Sequence, residues 1–279
     1  MRVAYSSDWH LGAFPEPPAA DFDVLVCAGD LCEVGEPERA IQSVVEYAGG
    51  KSVVAVAGNH DLYTSNPEDK RTNNDFIRLM RAEARRQDDA ADDDIVHVLT
   101  ADEPVCWIGN VRFVGLTLWS DWMLAGRWTP NPKLMPGEVW AAHARAIAGH
   151  WRSGLEEYRR IRTERGIWTP YDAVAEHARE RAILMDELAS PHDGPTVVVT
   201  HHPPMPELVD AYQGMIGMPW WAPAFYGSDV LRAMPDQLRP DLWICGHVHV
   251  PCDIQYGRTR VVSNPVRGGK FNPYAVVEV

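Results

Sequence analysis

No stretch of the 279-residue chain approaches the ~18 consecutive apolar residues that a membrane-spanning helix requires. The opening MRVAYSSDWHLG has too short an apolar run for a secretory signal, so a cytoplasmic location and no membrane partner are expected. Cysteine is scarce. Cys27, Cys32, Cys106, Cys245 and Cys252 are odd in number and lack C-x-x-C spacing, which argues against a disulfide framework or a cysteine zinc site and predicts reduced thiols. Positive charge is short too, with 26 basic against 39 acidic residues and a net charge of −13. Five of the acids sit in QDDAADDD at 87–94, expected as a solvated loop; without them the balance is still 34 to 26, or −8. Such a chain lacks the broad basic face that grips nucleic acid, although a local basic patch remains open to it.

What is present fits a globular protein: 46% apolar and 23% charged residues, and enough length for one large domain with or without an inserted cap. Short β-rich runs alternate with longer helical patterns, which predicts an α/β sandwich. Strands are expected near 2–6, 23–28, 52–57, 95–98, 104–108, 111–118, 195–200 and 242–245. A hairpin DIQYGRTRVVS and a closing strand in YAVVEV follow. Helices are expected near 37–48, opened by Pro37, and at 67–86 and 172–189. Between Trp119 and Trp168 the texture changes. That stretch holds six of the eleven tryptophans, a Pro/Gly-rich TPNPKLMPG and a helical run ending in EEYRRIRTERG, and is expected to be an α-helical cap insertion (119–168) within a single domain spanning 1–279. Most of its tryptophans are expected to pack the cap.

The polar residues that end the apolar runs form a pattern. SDWH follows RVAYS, GD follows DVLVCA, GNHD follows SVVAVA, HH follows TVVVT, and GHVH follows LWIC. Five strand ends thus carry metal-capable side chains, and in α/β sheets ligands bind beyond the carboxyl ends of strands. If the segment after the first strand stays extended, Asp8 and His10 point to one side and Trp9 to the other. Glycines 29, 58 and 246 stand where the chain must turn sharply. Six of the eleven histidines fall in these motifs, and five clusters agreeing by accident is improbable. Carboxylate, imidazole and amide oxygen together suit Mn²⁺, Fe²⁺ or Fe³⁺, Zn²⁺ or Ni²⁺, and a carboxylate can bridge two such ions about 3.5–4 Å apart.

The order D-x-H, G-D, G-N-H-D, H, G-H-x-H, from residue 8 to residue 249, resembles that of the calcineurin-like metallophosphoesterases. The resemblance implies a four-layer αββα sandwich and two divalent metal ions. Asp8, His10 and His249 would hold the first, Asn59, His201 and His247 the second, with Asp30 bridging. It also implies in-line attack of a metal-bridging hydroxide on phosphorus, with His60 protonating the leaving group. Glu33 and Asp61 are the two candidates to orient His60; for Asp61 a turn-stabilising role competes. His202 is open to two roles, contact with the substrate phosphate or support behind the ligands, since alternation in an extended segment would turn it away from the metals.

Substrate class is less constrained. The GDLCEVGE segment lacks the arginine of the GDxVDRG pattern in related phosphoprotein phosphatases, which argues against a phosphoprotein substrate. DWHLG is shared with bacterial double-strand-break repair nucleases, but those are usually longer, so a nuclease acting on DNA or RNA is the rival rather than the favoured reading. The tail after GHVH, with its hairpin and Asn-Pro, looks like small bacterial phosphoesterases and cyclic nucleotide phosphodiesterases. It makes Asn264 and Arg267 candidates for substrate contact, against a plain turn. The insertion is similar to that of a group of uncharacterised bacterial and phage-associated phosphoesterases. Its Arg159, Arg160 and Arg162 either meet a phosphate or pair with nearby acids such as Glu156 and Glu157. Trp220 and Trp221, in the long loop after His202, are candidates to stack on a flat leaving group. A non-catalytic scaffold, as in the retromer subunit of this fold, is a third reading, and the presence of His60 argues against it. The expectation is therefore hydrolysis of a small phosphomonoester or phosphodiester.

Overall fold

Short runs of Val, Ile and Ala bounded by Gly, Asp and Asn have little choice but to pair as buried strands, and they do. The computed structural model describes residues 1–10, 20–150, 154–215, 217–266, 271–273 and 275–279. One sheet has the order β13-β1-β2-β3-β4, from Val276–Glu278 (β13), Arg2–Ser6 (β1), Val24–Ala28 (β2), Ser52–Val56 (β3) and Val96–Leu99 (β4). Strands β1 to β4 are parallel and β13 closes the edge antiparallel. The second sheet has the order β11-β12-β10-β9-β6-β5, from Cys252–Tyr256 (β11), Thr259–Ser263 (β12), Leu242–Ile244 (β10), Thr196–Thr200 (β9), Val111–Leu116 (β6) and Val105–Ile108 (β5). Its four inner strands are parallel, with a hairpin partner at each edge.

Alternation along the strands builds the layers. In β2, Val24, Val26 and Ala28 face the second sheet, where they meet Phe113, Val197, Val199 and Ile244. Leu25 and Cys27 face outward onto Pro37–Ala48 (α1) and Asn73–Ala91 (α2), through Ile41, Val44, Phe76 and Met80. The outer face of the second sheet, with Val114, Leu116, Val198 and Trp243, is covered by Leu184 and Leu188 of Pro170–Ala189 (α5) and by Leu208 and Leu231 of the short helices Pro206–Val209 (α6) and Val230–Ala233 (α8). Helix, sheet, sheet, helix is the expected sandwich. Each Val or Leu fully buried in it contributes about 1.5–3 kcal/mol relative to exposure.

Three local expectations need correction. Helix α2 begins at Asn73, not at 67, because Thr72 and Asp75 cap its first turn reciprocally. It also continues into the aspartate cluster: Gln87 to Ala91 are helical, and the Asp88 carboxylate accepts the Ile95 and Val96 N–H groups, each at 2.9 Å, to start β4. EEYRRIRTERG is not a long helix. It makes a single turn, Glu157–Arg160 (α4), and then the small hairpin Arg162–Thr163 (β7) and Gly166–Ile167 (β8), because Ile161 is buried in the main core between them.

The longest described helix of the 119–168 stretch is Gly137–Ala148 (α3), which buries Ala141, Ala144 and Ala148 against Trp122. The same cluster takes in Trp221, Ala224 and Phe225, the last two from Ala222–Tyr226 (α7). Trp119 and Trp168 instead join the core beside α1 and α2, their rings 4.9 Å apart. Trp151 lies outside the described residues.

Candidate metal centre

All five strand-end motifs converge where the carboxyl ends of β1, β2 and β3 meet those of β9 and β10. The approach is close enough to dictate glycine. A Cβ on Gly58 would lie 2.2 Å from Asp30 Oδ1, and one on Gly29, whose φ is +84°, would lie 2.5 Å from His201 Nδ1. Asp8 and His10 do converge, but not by strand alternation. Both adopt left-handed backbone, φ 58° and 52°, as do Asp30, His247 and His249 at 52°, 70° and 48°. Among the described residues only eight non-glycine residues do so, and five are candidate ligands. Such conformations cost of order 1–3 kcal/mol each and persist where the surroundings over-determine them. Here the surroundings are hydrogen bonds. Asp8 N–H donates to Gly29 O, His10 N–H to Asp30 O, and His247 N–H to Asp8 Oδ1.

Two groups of donor atoms share Asp30: Asp8, His10, Asp30 and His249, and Asp30, His201 and His247, the atoms of each group lying within 4.8 Å of one another. In the first, His249 Nε2 is 3.3 Å from Asp8 Oδ1 and 3.4 Å from His10 Nε2. In the second, His201 Nε2 is 2.9 Å from Asn59 Oδ1 and 3.4 Å from Asp30 Oδ2. Because His201 Nδ1 is 2.9 Å from Ala28 O and donates to it, Nε2 presents its lone pair to these oxygens. Lone pairs facing lone pairs repel unless a proton or a cation lies between them.

The electrostatics agree. Burial works against the Asp30 charge, but the imidazoles of His201 and His60 outweigh it and hold the carboxyl well below its usual range. Burial also opposes protonation of His201, yet Asp30 beside it pushes that imidazole up to about 9. Without metal, a proton fills the gap. Burial lowers His10 to about 4 and takes His247 well down, aided there by His202 and His201, so both imidazoles are neutral and ligand-competent. His247 Nε2 is buried with no hydrogen-bond partner among the described residues. Mixed oxygen and nitrogen donors with such an orphaned lone pair fit a divalent cation at either group.

His60 and Glu33 stand beside the first group. His60 N–H donates to Asp30 Oδ1 at 2.8 Å, and Glu33 Oε1 lies 3.6 Å from His60 Nδ1, while its Oε2 lies 2.9 Å from His10 Nδ1. Asp61, the other expected orienter, does not reach His60. Its two oxygens are taken by the N–H groups of Cys32 and Gly58, 2.8 Å each, so it staples the turns after β2 and β3 together. Burial, with Asp30 nearby, pushes it up to about 6.

Several expected substrate contacts spend their side chains on other partners. His202 is buried behind the ligands, its ring 4.2 Å from that of His247 and 5.2 Å from that of Trp119. Asn264 is buried and fully occupied: Nδ2 donates to Tyr5 O and Asn272 O, and Oδ1 accepts from Asn272 N. Trp221 packs against Trp122 and Trp220 against Trp140, away from the donors. Arg267 lies outside the described residues. Of the three arginines, Arg159 pairs with Glu156 at 3.0 Å, Arg160 donates to Thr64 O, and Arg162 to Pro67 O.

A cavity of about 230 Å³ opens over the donors, with Asp30, Asn59, His60, His247 and His249 on its floor. Its walls come from residues the sequence reading missed. Tyr212, Phe225 and Tyr226 make an aromatic side, with Phe225 and Tyr226 rings 5.6 and 5.2 Å from that of His247. Glu157 and Tyr63 make the side facing Asn59. The long loop after His202 did signal aromatics, but nothing local distinguishes the tryptophans that pack from the tyrosines that line.

A family model described as calcineurin-like phosphoesterase matches residues 1–251. No curated protein matches. Among solved structures, the phosphopantetheinyl hydrolase of Mycobacterium tuberculosis is similar at 20% identity and a TM-score of 0.60, over 95% of this chain and 88% of that one. A protein of Thermus thermophilus is similar at 12% identity and a TM-score of 0.48, over the same shares of the two chains.

Proposed function

Because the chain belongs to the calcineurin-like phosphoesterase family and is a metal-dependent hydrolase of phosphate esters, we propose that it cleaves a small phosphomonoester or phosphodiester at a centre of two divalent ions. The observation that carries this reading is the pair of donor groups sharing Asp30 on the cavity floor. Asp8, His10 and His249 would hold one ion and Asn59, His201 and His247 the other, with Asp30 shared between the two donor groups. When bound, the ions supply an acidified water and neutralise charge on the phosphoryl oxygens. Mn²⁺, Fe²⁺ or Fe³⁺, Zn²⁺ and Ni²⁺ all suit the donor set.

The chain's own residues do the rest. His60 is anchored through its N–H to Asp30, and its Nδ1 is turned to Glu33, which leaves Nε2 to deliver a proton to the departing alkoxide. The stretch 119–168 acts as the cap, and the aromatic side of the cavity accepts the alcohol, favouring a flat or apolar leaving group. The cavity size favours a small molecule over a polynucleotide, as does the net charge of −13. Five unpaired thiols suit a cytoplasmic setting, and among the described residues no helix is long and apolar enough to cross a membrane.

The test is a panel of metals against substrates: mono- and diester analogues, 2′,3′- and 3′,5′-cyclic nucleotides, a phosphopantetheine ester and short oligonucleotides. Turnover of a small ester that requires an added divalent ion and stops with chelator is expected. Oligonucleotide cleavage without turnover of any small ester would shift the reading to a nuclease.

A further inference from the structure

Building on the metal-centre reading above, we propose that Glu157 is a positioning residue that fixes Asn59 as a metal ligand, so that part of the 119–168 stretch helps to set occupancy of the centre. A primary amide has an oxygen and a nitrogen of nearly equal size, and its shape alone does not decide which faces the donors. Here the nitrogen is claimed. Asn59 Nδ2 donates to Glu157 Oε1 at 2.7 Å and to the Tyr63 hydroxyl at 3.1 Å, and that hydroxyl itself donates to Glu157 Oε1. Both amide hydrogens are used, and Oδ1 is left facing His201 Nε2 at 2.9 Å. A carboxylate pulling on the amide N–H also makes the carbonyl oxygen a better donor to a cation, as outer partners of metal ligands commonly do.

The carboxylate is held in place independently of the amide. Glu157 is only 4% exposed, at the start of α4. The far end of α4 is lashed to the segment that follows Asn59: Thr64 N–H and Oγ1 both donate to Arg160 O, at 2.9 and 2.8 Å, and the Arg160 guanidinium lies over the Tyr63 ring and donates to Thr64 O. No lysine or arginine among the described residues pairs with Glu157. A buried carboxylate without a cation is costly, and two neutral donors alone would be served equally well by an amide acceptor. A cation one residue further on, behind the Asn59 carbonyl, gives the charge a reason to be there.

Titration of Mn²⁺ into the metal-free protein by calorimetry tests this, with Asn59→Ala marking which binding event belongs to the Asn59 side. Glu157→Met, which keeps volume but has no acceptor, should weaken that same event 10–100-fold and leave the other within about twofold. Glu157→Gln, which keeps an acceptor oxygen but removes the charge, should recover only part of the loss. In the double variant with Asn59→Ala, the Met substitution should add nothing further, because its effect runs through the amide. Two unchanged events in Glu157→Met, two equally weakened ones, or additive losses in the double variant would each overturn the proposal while the metal-centre reading stands. A wild-type protein that takes up no Mn²⁺ would take down both. Should Glu157→Met fail to fold, hydrogen exchange on the wild type carries the test: Mn²⁺ should slow exchange in residues 157–161, and unaltered exchange there would overturn the coupling.

Discussion

The floor of the cavity and its aromatic side are held by different forces. On the floor, left-handed backbone is fixed by crossed hydrogen bonds such as His247 N–H to Asp8 and His60 N–H to Asp30, and by glycines with no room for a Cβ. The aromatic side rests on two short helices, α6 and α7, seated by Leu208, Val209 and Phe225, with the Tyr212 hydroxyl donating to Val248 O as a tie to the floor. One region is positioned atom by atom; the other is positioned by apolar packing, which tolerates exchange of similar volumes. Chemistry demands the first kind of support and selectivity the second.

That contrast can be broken most sharply on the floor. Asp30→Asn removes the charge that both donor groups share, so metal content should fall, and turnover should drop by more than the ~100-fold that loss of an outer partner typically costs. His60→Ala should leave metal content intact yet lower turnover by ~10²-fold or more. Elemental analysis beside single-turnover rates separates the two; full activity in the His60 variant would remove its assignment as the acid.

Smaller effects are expected from the aromatic side. Phe225→Leu or Tyr226→Leu should raise KM for an aromatic ester roughly threefold to tenfold, the loss of about 0.5–1.5 kcal/mol of ring contact, with kcat little changed. Trp220→Leu should leave both constants alone. If it moved KM as much as Phe225→Leu, the assignment of the aromatic side would be wrong.

The smallest effect on turnover is expected outside the lining of the cavity. Glu180 of α5 accepts the N–H groups of Thr117 and Trp119, where the chain leaves β6, and burial pushes its carboxyl up to about 8. The unfolded chain releases this proton near pH 4.5 and the folded one only near 8, so the folded state binds more protons between the two. Stability should therefore fall as pH rises through that window, by up to about 1.4 kcal/mol per unit. Glu180→Gln should flatten the slope in metal-free melting curves without altering kcat; an unchanged slope would mean that Glu180 is ionised throughout.

How much of this could be read beforehand follows the same divide. The layers and the strand ends were legible because a short continuous apolar run such as VLVCA and the glycine after it are local signals with local causes. The candidate donors and His60 came together with them, because the motifs that carry them end neighbouring strands. Glu157 was not legible: in EEYRRIRTERG it looks like any acid beside an arginine, and only the burial of Ile161 and the hold of Arg160 on Thr64 turn it toward Asn59. Trp220 and Trp221 misled for the opposite reason, since ring size signals burial as readily as stacking and their neighbours Trp122 and Trp140 claimed them. Asp61 and Asn264 sit in suggestive motifs but spend their hydrogen bonds on backbone.

The left-handed positions of the candidate ligands also bear on how such a centre can change over time. A residue there must satisfy two unrelated demands, a donor atom and a conformation that β-branched side chains avoid. Replacing His249 by threonine fails on both counts, whereas asparagine keeps the backbone and surrenders only the imidazole. The routes open to drift are thereby confined to a handful of residue types, and a centre that a single substitution can abolish can be retuned only along that narrow set.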